Sequence, residues 1–494
     1  MSHSLQNPTW THFLQHLLLA TASLLLTIAV ANGSSDLPDL GDESDRIMSP
    51  YEERRLGEAY IRQARRQLKF LNDPELLAYV QELGQRLVKN SDLPDLQFQF
   101  YIVDDPTINA FAVPGGFITL HSGLITASKS EGELASVIAH EIAHITQRHI
   151  PRLLAAQERS ALPTMAALIA AIILLNSGNT EGGEAAIALS TAGFMQRGIN
   201  FTRQHEEEAD RVGTRLLADS GMDPRAMVGF FKRLTAWSRL YNTNTPEFLQ
   251  THPLSTRRLT ESENRAARYP VRKTRPSKAF FHAQARLRAL LDTRQPEETV
   301  RAFAANLKQK NYKFEGAEHY GYALALSNAG QYKKAQTEFF RLIRKTTDKN
   351  QRRQYEKARA ESLIEAGNFK AAIAALKKLH KQAPEDAGIA LSYTTALMRK
   401  REFSRAYQLL RILVRDQQQD PTLQRMLATA AGEAAKPVES HRAMAEYYFL
   451  NGISSAALEQ LAIARRHAGS SKYSLAAIDA RVNDIKHIMD RDKH

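Results

Sequence analysis

Residues 131 to 150, EGELASVIAHEIAHITQRHI, limit what this chain can become more than any other segment. Leu134, Val137, Ile138, Ile142 and Ile145 recur at helical spacing, which predicts a helix carrying His140, Glu141 and His144. Imidazoles four residues apart project from successive turns of one face, at a separation that a single Zn²⁺ accepts. Glu141 is then rotated to the side where an activated water would lie. The bland alternative is an amphipathic helix with surface histidines. Composition sharpens the choice, because the 494 residues include no cysteine, which removes disulfides, thiol nucleophiles, Cys-based zinc sites and iron–sulfur clusters together. Any transition metal must be held by His, Asp and Glu. No Gly-rich phosphate loop and no convincing G-x-S-x-G turn competes with this chemistry.

Two histidines leave a tetrahedral site one protein ligand short. The extended HExxHxxGxxH pattern would need Gly at 147 and His at 150, where Gln147 and Ile150 stand. His149 is one residue off that pattern and is expected at the surface or behind the ligands. The segment RQHEEEADRVG, residues 203 to 213, offers a carboxylate from a second helix instead. Glu206 and Asp210 lie four apart on one face, and the small Ala209 between them permits close packing against the metal helix. Glu206 is the expected third ligand, and Asp210 is expected to orient His140 or His144 through its other ring nitrogen. Glu207 and Glu208 should point elsewhere. A carboxylate-rich surface helix is the alternative.

Pro114-Gly115-Gly116 reads as a tight turn, and the residues after it, FITLHSGLI, alternate as a strand lying beside the metal would. Phe117, Ile118, Thr119 and Leu120 are therefore candidates for binding substrate as an extended edge, with a purely structural strand as the alternative. His252 and Arg258 follow the second carboxylate helix by some forty residues. Both could close over the cleft and donate to a tetrahedral oxyanion. His252 could equally take the fourth metal position and hold the site latent, or be an ordinary loop histidine.

His140-Glu141-x-x-His144 with Glu206-x-x-Ala209-Asp210 resembles the zinc metallopeptidase family that contains the CAAX prenyl proteases and the HtpX heat-shock proteases. Asn109-Ala110-Phe111-Ala112-Val113-Pro114-Gly115-Gly116 resembles its strand before the active-site helix. Thr251-His252-Pro253 with Arg258 resembles its later His-Pro element, so that the likeness covers roughly residues 47 to 265. It implies an endopeptidase with one Zn²⁺ per chain on His140, His144 and Glu206, Glu141 as general base, and Asp210, His252 and Arg258 around them.

Beyond about residue 275 the chain turns into helical pairs with no strand signal. Gly330-Gln331-Tyr332-Lys333-Lys334-Ala335 overlays Gly367-Asn368-Phe369-Lys370-Ala371-Ala372 and then Arg401-Glu402-Phe403-Ser404-Arg405-Ala406, the aromatics being 37 and then 34 residues apart. This resembles tetratricopeptide repeats, and weaker units can be placed near Gln295 to Thr299 and Gly452 to Ala456. The expected fold is thus mainly α: an α+β zincin-type metallopeptidase domain, its HExxH helix beside a small sheet, over residues 47–270, then an all-α tetratricopeptide-like solenoid over 277–494.

Charge divides at the same place. Residues 1–270 hold 25 Lys+Arg against 30 Asp+Glu, and residues 271–494 hold 41 against 23. The basic half suits an anionic partner, or is simply a solvated helical array. A nucleic-acid role is disfavoured, since no aromatic-basic reading surface is evident. The apolar stretch from Leu17 ends in Ala29-Val30-Ala31, which predicts a signal peptide over 1–31 cleaved after about Ala31, followed by a flexible acidic N-terminus over 32–46. An uncleaved anchor is the alternative, although fifteen apolar residues fall short of the ~20 of a span. A second apolar run, 164–175, is expected to pack inside the domain, with peripheral membrane contact as the other reading. Together these features resemble the periplasmic branch of the family in Gram-negative bacteria. That likeness implies cleavage of misfolded or stalled outer-membrane proteins, and contact of the repeats with the β-barrel assembly machinery. A chaperone or adaptor in which proteolysis is secondary is the rival.

Overall fold

The computed structural model of the protein describes residues 48–156, 192–240, 246–272, 275–291 and 295–491. The expected signal peptide and acidic N-terminus, and the apolar run at 164–175, lie outside the described residues. The first part of the chain forms α1 (Pro50–Ala64), α2 (Pro74–Val88), β1 (Gln99–Val103), β2 (Ala110–Val113), β3 (Phe117–His121), α3 (Ser122–Ala127), α4 (Glu131–Thr146), α5 (His149–Ala156), α6 (Ala192–Asp219), α7 (Arg225–Leu240), α8 (Glu247–Thr251) and α9 (Thr256–Ala267). Polar caps set several starts: the Ser49, Asp73, Ser130 and Ser255 side chains each accept a backbone N–H from the first turn of α1, α2, α4 and α9.

The three strands run in the order β1-β3-β2, with β1 parallel and β2 antiparallel to β3. This corrects one expectation. Phe117, Ile118, Thr119 and Leu120 lie on the central strand, paired with neighbours on both sides, so they present no free edge to a substrate. The strand also stops earlier than its alternation suggests. Ser122 Oγ donates to the Asp105 carbonyl at 2.7 Å and the Gly123 N–H donates to the same oxygen at 2.9 Å, which turns the chain into α3. A Cβ on Gly123 would meet the Pro106 carbonyl oxygen at 2.1 Å, so only glycine fits there.

Helix α4 is buried along nearly its whole length, against α2, the sheet, α6 and α7. The apolar core gathers Val80, Leu83, Ile118, Leu120, Leu134, Ile138, Ile142, Leu216 and Phe230. Helix α6 crosses α4 where Ala209 is fully buried and where a Cβ on Gly213 would sit 3.2 Å from the His140 nitrogen. The helix that carries His140, Glu141 and His144 ends at Thr146, before the segment 131–150 does. Gln147 caps α4, Arg148 adopts φ 52°, and α5 starts in a new direction.

From residue 278 to 491 the described residues hold helices and no strand: α10 (Lys278–Leu291), α11 (Pro296–Gln309), α12 (Glu315–Asn328), α13 (Tyr332–Lys345), α14 (Lys349–Glu365), α15 (Phe369–Gln382), α16 (Ala387–Arg399), α17 (Phe403–Asp416), α18 (Pro421–Glu433), α19 (Pro437–Leu450), α20 (Ser454–His467) and α21 (Lys472–Arg491). The repeat seen in the sequence has a backbone cause. Gly330, Gly367 and Arg401, which align, all have positive φ in the turns before α13, α15 and α17. The alanines that follow, Ala335, Ala372 and Ala406, are fully buried where paired helices touch.

The helical array is bound to the first part of the chain by charge as well as by apolar contact. Phe280, Ala283 and Leu287 of α10 join the core that contains α4. Arg286 pairs with both oxygens of Asp73 at 2.8 and 2.7 Å. Glu75 accepts from Lys357 at 2.7 Å, Tyr320 at 2.7 Å and Gln354 at 3.0 Å. Further along, Arg65, which caps the end of α1, donates to the carbonyls of Leu450 and Gln419. A cavity of 830 Å³ remains between α2, β1 and the facing helices α14, α16 and α18.

Burial alone would raise the Glu75 carboxyl, but Arg286 and Lys357 outweigh it and hold the group far below its usual 4.5. Its contribution to stability is therefore complete above pH 4.5 and is lost as the pH falls through the depressed folded value. Lys357→Met would leave Glu75 and Glu361 short of a buried cation. We expect a loss of about 3–5 kcal/mol, seen as faster hydrogen exchange in both α2 and α14. Unchanged exchange there would show that the network is not what joins the two parts.

Candidate active site

The crossing of α4 and α6 brings together what the sequence separates by more than sixty residues. His140 Nε2 lies 3.1 Å from His144 Nε2 and 3.3 Å from Glu206 Oε2, and His144 Nε2 lies 3.4 Å from Glu206 Oε1. His252, at the end of α8, places its Nδ1 2.9 Å from Glu206 Oε1 and 3.4 Å from His140 Nε2. Ligands about 2.0–2.1 Å from a tetrahedral cation stand about 3.3–3.4 Å from one another, so these spacings fit Zn²⁺. Among the described residues, His140, His144, Glu206 and His252 form the group that meets at this point.

Electrostatics favour a cation there as well. Burial pushes the His140 ring toward neutrality, but Asp210 and Glu206 together lift it to about 10. Burial likewise opposes ionisation of Glu206, yet His252, His140 and His144 hold it well below 4.5. His144, dominated by burial, stays far below 6.5. The pocket thus contains ionised carboxylate and lone pairs facing one another, an arrangement that a proton on His140 satisfies only in part and that a divalent metal satisfies fully.

Each surrounding group has an identifiable support. His140 Nδ1 is 3.1 Å from Asp210 Oδ1, as expected for a carboxylate behind a ligating imidazole. Arg258 does not face the cleft. Its Nε and one terminal nitrogen donate to the two Asp210 oxygens at 2.8 Å each, its other terminal nitrogen reaches the Pro253 carbonyl at 2.7 Å, and the side chain is buried. It also lies 2.9 Å from Glu206 Oε2. The arginine therefore neutralises and fixes the carboxylates behind the site.

Glu141 is fully buried, and burial, the largest influence, raises its carboxyl above the usual range. It accepts the Ala112 backbone N–H, while its Oε1 has no hydrogen-bond partner and lies 3.6 Å from His252 Nε2. Ala112 belongs to β2, the terminal strand of the sheet on this side, so among the described residues the sheet edge near the site is β2 and not β3. Glu207 pairs with Arg257, away from the ligand cluster, whereas Glu208 pairs with Arg152 and lies 3.3 Å from His149 Nε2, behind His144. Phe248 and the Ala112 N–H carried no sequence signal of their own. Phe248 stacks on His252 at 4.7 Å and donates its N–H to Ile108, which ties α8 to the loop before β2.

These placements separate neighbouring carboxylates. Glu206→Gln is expected to lose most bound metal, because a neutral amide oxygen is a poor Zn²⁺ ligand, whereas Glu207→Gln should keep the full complement. Elemental analysis of the two purified variants checks this, and equal metal content would mean that another carboxylate is the ligand.

The comparisons with known proteins agree with this geometry. The sequence profile of peptidase family M48 matches residues 74–266, and that of a tetratricopeptide repeat matches 363–430. The beta-barrel assembly-enhancing protease of Yersinia pestis is 31% identical over 491 residues, covering 95% of this chain and 97% of that one. The beta-barrel assembly-enhancing protease of Escherichia coli K12 is 37% identical over 323 residues, 64% of this chain and 66% of that one. The mitochondrial metalloendopeptidase OMA1 of Schizosaccharomyces pombe is 30% identical over 186 residues, 37% of this chain and 51% of that one. With a matching family profile over the catalytic helices and a relative aligned along nearly its whole length, the chain belongs to peptidase family M48 and is a metalloendopeptidase followed by tetratricopeptide repeats.

Proposed function

We propose that the protein is a zinc-dependent endopeptidase of the Gram-negative periplasm that cleaves misfolded or stalled outer-membrane proteins and serves β-barrel assembly through its repeats. The observation that carries the catalytic half is the convergence of His140, His144 and Glu206 beside a buried, unpartnered carboxylate oxygen of Glu141. His140, His144 and Glu206 hold one Zn²⁺. When bound, the metal supplies a Lewis acid and brings the pKa of water from about 15.7 toward about 7.

The chain's own residues do the rest. Glu141 takes the proton of the attacking water on its open oxygen and returns it to the leaving amine, its other contact to the Ala112 N–H keeping the carboxylate aimed at the cleft. Asp210 holds the His140 ring in orientation, and Arg258 holds Asp210. Substrate lies extended along the free edge of β2, bound by main-chain hydrogen bonds that read shape more than sequence. The catalytic unit spans 47–270 and the repeat unit 277–494, α10 packing between them. The repeat unit carries the recognition: α15 exposes Lys370, Lys377, Lys378 and Lys381 and contains no acidic residue, a face suited to an acidic partner surface. The names of the relatives support a role near β-barrel assembly. Export follows from the Ala29-Val30-Ala31 cleavage pattern. No described helix is long and apolar enough to cross a membrane.

Glu141→Gln keeps the size of the side chain but removes its base. We expect retained zinc and loss of casein cleavage, measured side by side on the same preparation. Undiminished cleavage by that variant would overturn the mechanism.

His252 reads best as a removable fourth ligand, since its Nδ1 sits among the ligand atoms and is held there by Glu206 and Phe248. A protease that reads backbone shape would threaten every unfolded neighbour, and a ligand that withdraws when the repeats engage a client avoids this. His252→Ala should then raise basal cleavage of an unfolded substrate. A fall of about 10²-fold with zinc retained would return His252 to the oxyanion role.

A further inference from the structure

We propose that His149, turned back by the left-handed residue Arg148 and backed by Glu208 and Arg152, is a positioning residue that fixes the ring orientation and tautomer of His144. The proposal rests on the reading of His140, His144 and Glu206 as metal ligands.

In an uninterrupted helix His149 would stand five positions past His144, about 140° around the axis, and the two rings would not meet. The break at Arg148 changes that. Arg148 has φ 52°, a conformation costing a non-glycine residue about 1 kcal/mol or more, and its guanidinium is clamped by Glu53 at 2.8 Å and the Met48 carbonyl at 2.6 Å. The strained turn brings His149 Nδ1 to 2.8 Å from His144 Nδ1. His205 of α6 stacks flat on the His149 ring, 4.1 Å between centroids at 7°, which fixes the plane of that ring. On its far side His149 Nε2 meets Glu208 Oε2 at 3.3 Å, and the same oxygen accepts from Arg152 at 2.8 Å.

The hydrogens follow from the ligand geometry. His144 faces the ligand point with Nε2, so that nitrogen needs its lone pair and the proton sits on Nδ1. Nδ1–H then donates to His149 Nδ1, and His149 donates from Nε2 to Glu208. Every polar atom along the chain has one role. The two ligating imidazoles are therefore supported differently: His140 backs onto the carboxylate of Asp210, and His144 onto an uncharged ring. A full carboxylate behind both would add negative charge to a pocket that already holds Glu206 and Glu141.

The test is zinc affinity of the full chain by competition with a chromophoric chelator, with the ligand-field spectrum of the Co²⁺-loaded protein. His149→Leu should weaken zinc binding about 10–100-fold and alter the Co²⁺ bands. His149→Asn, which puts a carbonyl oxygen near the position of Nδ1, should recover most of the affinity. Thermal stability of the metal-free leucine and asparagine variants should be similar, which a merely structural role would not give. If the leucine variant does not fold, Glu208→Ala, at a half-buried position, should still weaken zinc binding. Parent-like affinity in His149→Leu, or in Glu208→Ala should that substitute be needed, would overturn the proposal. A parent protein that binds no zinc would instead overturn the reading of the ligands.

Discussion

Everything at the catalytic centre depends on how closely α6 can approach α4. The carboxylates of Glu206 and Asp210 reach His140 only because Ala209 and Gly213 present almost no side chain at the crossing, where even a methyl group at 213 would press on the backbone of His140. A larger residue at either position would lift the helix and separate ligands held 3.3 to 3.4 Å apart. Close packing and chemistry are here one constraint. The apolar surface of α4 is consumed on all sides, so the ligand-bearing residues cannot relax away from one another without opening the core.

That packing forces an electrostatic problem, and the residues around the ligands are its solution. Glu141, Glu206 and Asp210 are all buried, and three buried carboxyl groups are tolerable only with matched cations or protons. Arg258 supplies one charge to the pair on α6, and burial raises the Glu141 carboxyl above its usual range while His252 and His140 oppose that shift. The remaining deficit is concentrated between His140, His144 and Glu206, where a divalent cation is the natural complement. His252 enters the same space from α8, anchored by Phe248 and by Glu247, whose carboxylate accepts from Thr107 at 2.8 Å. Its position is thus set by the loop before β2, the terminal strand of the sheet beside Glu141.

How much of this the sequence disclosed follows from the range over which each feature acts. Helical spacing is local, so α4, the pairing of Glu206 with Asp210 on α6, and the repeated turns at Gly330, Gly367 and Arg401 could all be read directly. Strand order is not local. Residues 117–121 alternate as an edge strand would, and nothing within them tells that β1 lies on the far side, which is why an edge was expected at a strand that is paired on both sides. The role of Arg258 was hidden for a related reason, since an arginine after a His-Pro turn can face either the cleft or the carboxylates, and only the crossing of α6 decides. The break at Arg148 had no signal at all. Arginine is neither a usual helix stop nor a usual left-handed residue, and its clamp, Glu53, lies ninety-five positions earlier.

The join between the two parts of the chain carries the same lesson further. Charge and repeat pattern change near residue 275, which suggests independent units, yet Phe280 and Leu287 are buried in the catalytic core and Glu75 is shared with Tyr320 and Lys357 of the repeats. An ion network this deep loses heavily if one partner withdraws, so the contact favours a fixed arrangement over a loose tether. A client held by the repeats would then meet the cleft at a set distance and angle. Selectivity in such a protease need not come from side-chain pockets beside the scissile bond. If substrate lies along β2 as proposed, it can come from which part of a bound client the geometry allows to reach that strand, which would reconcile backbone reading with discrimination among substrates.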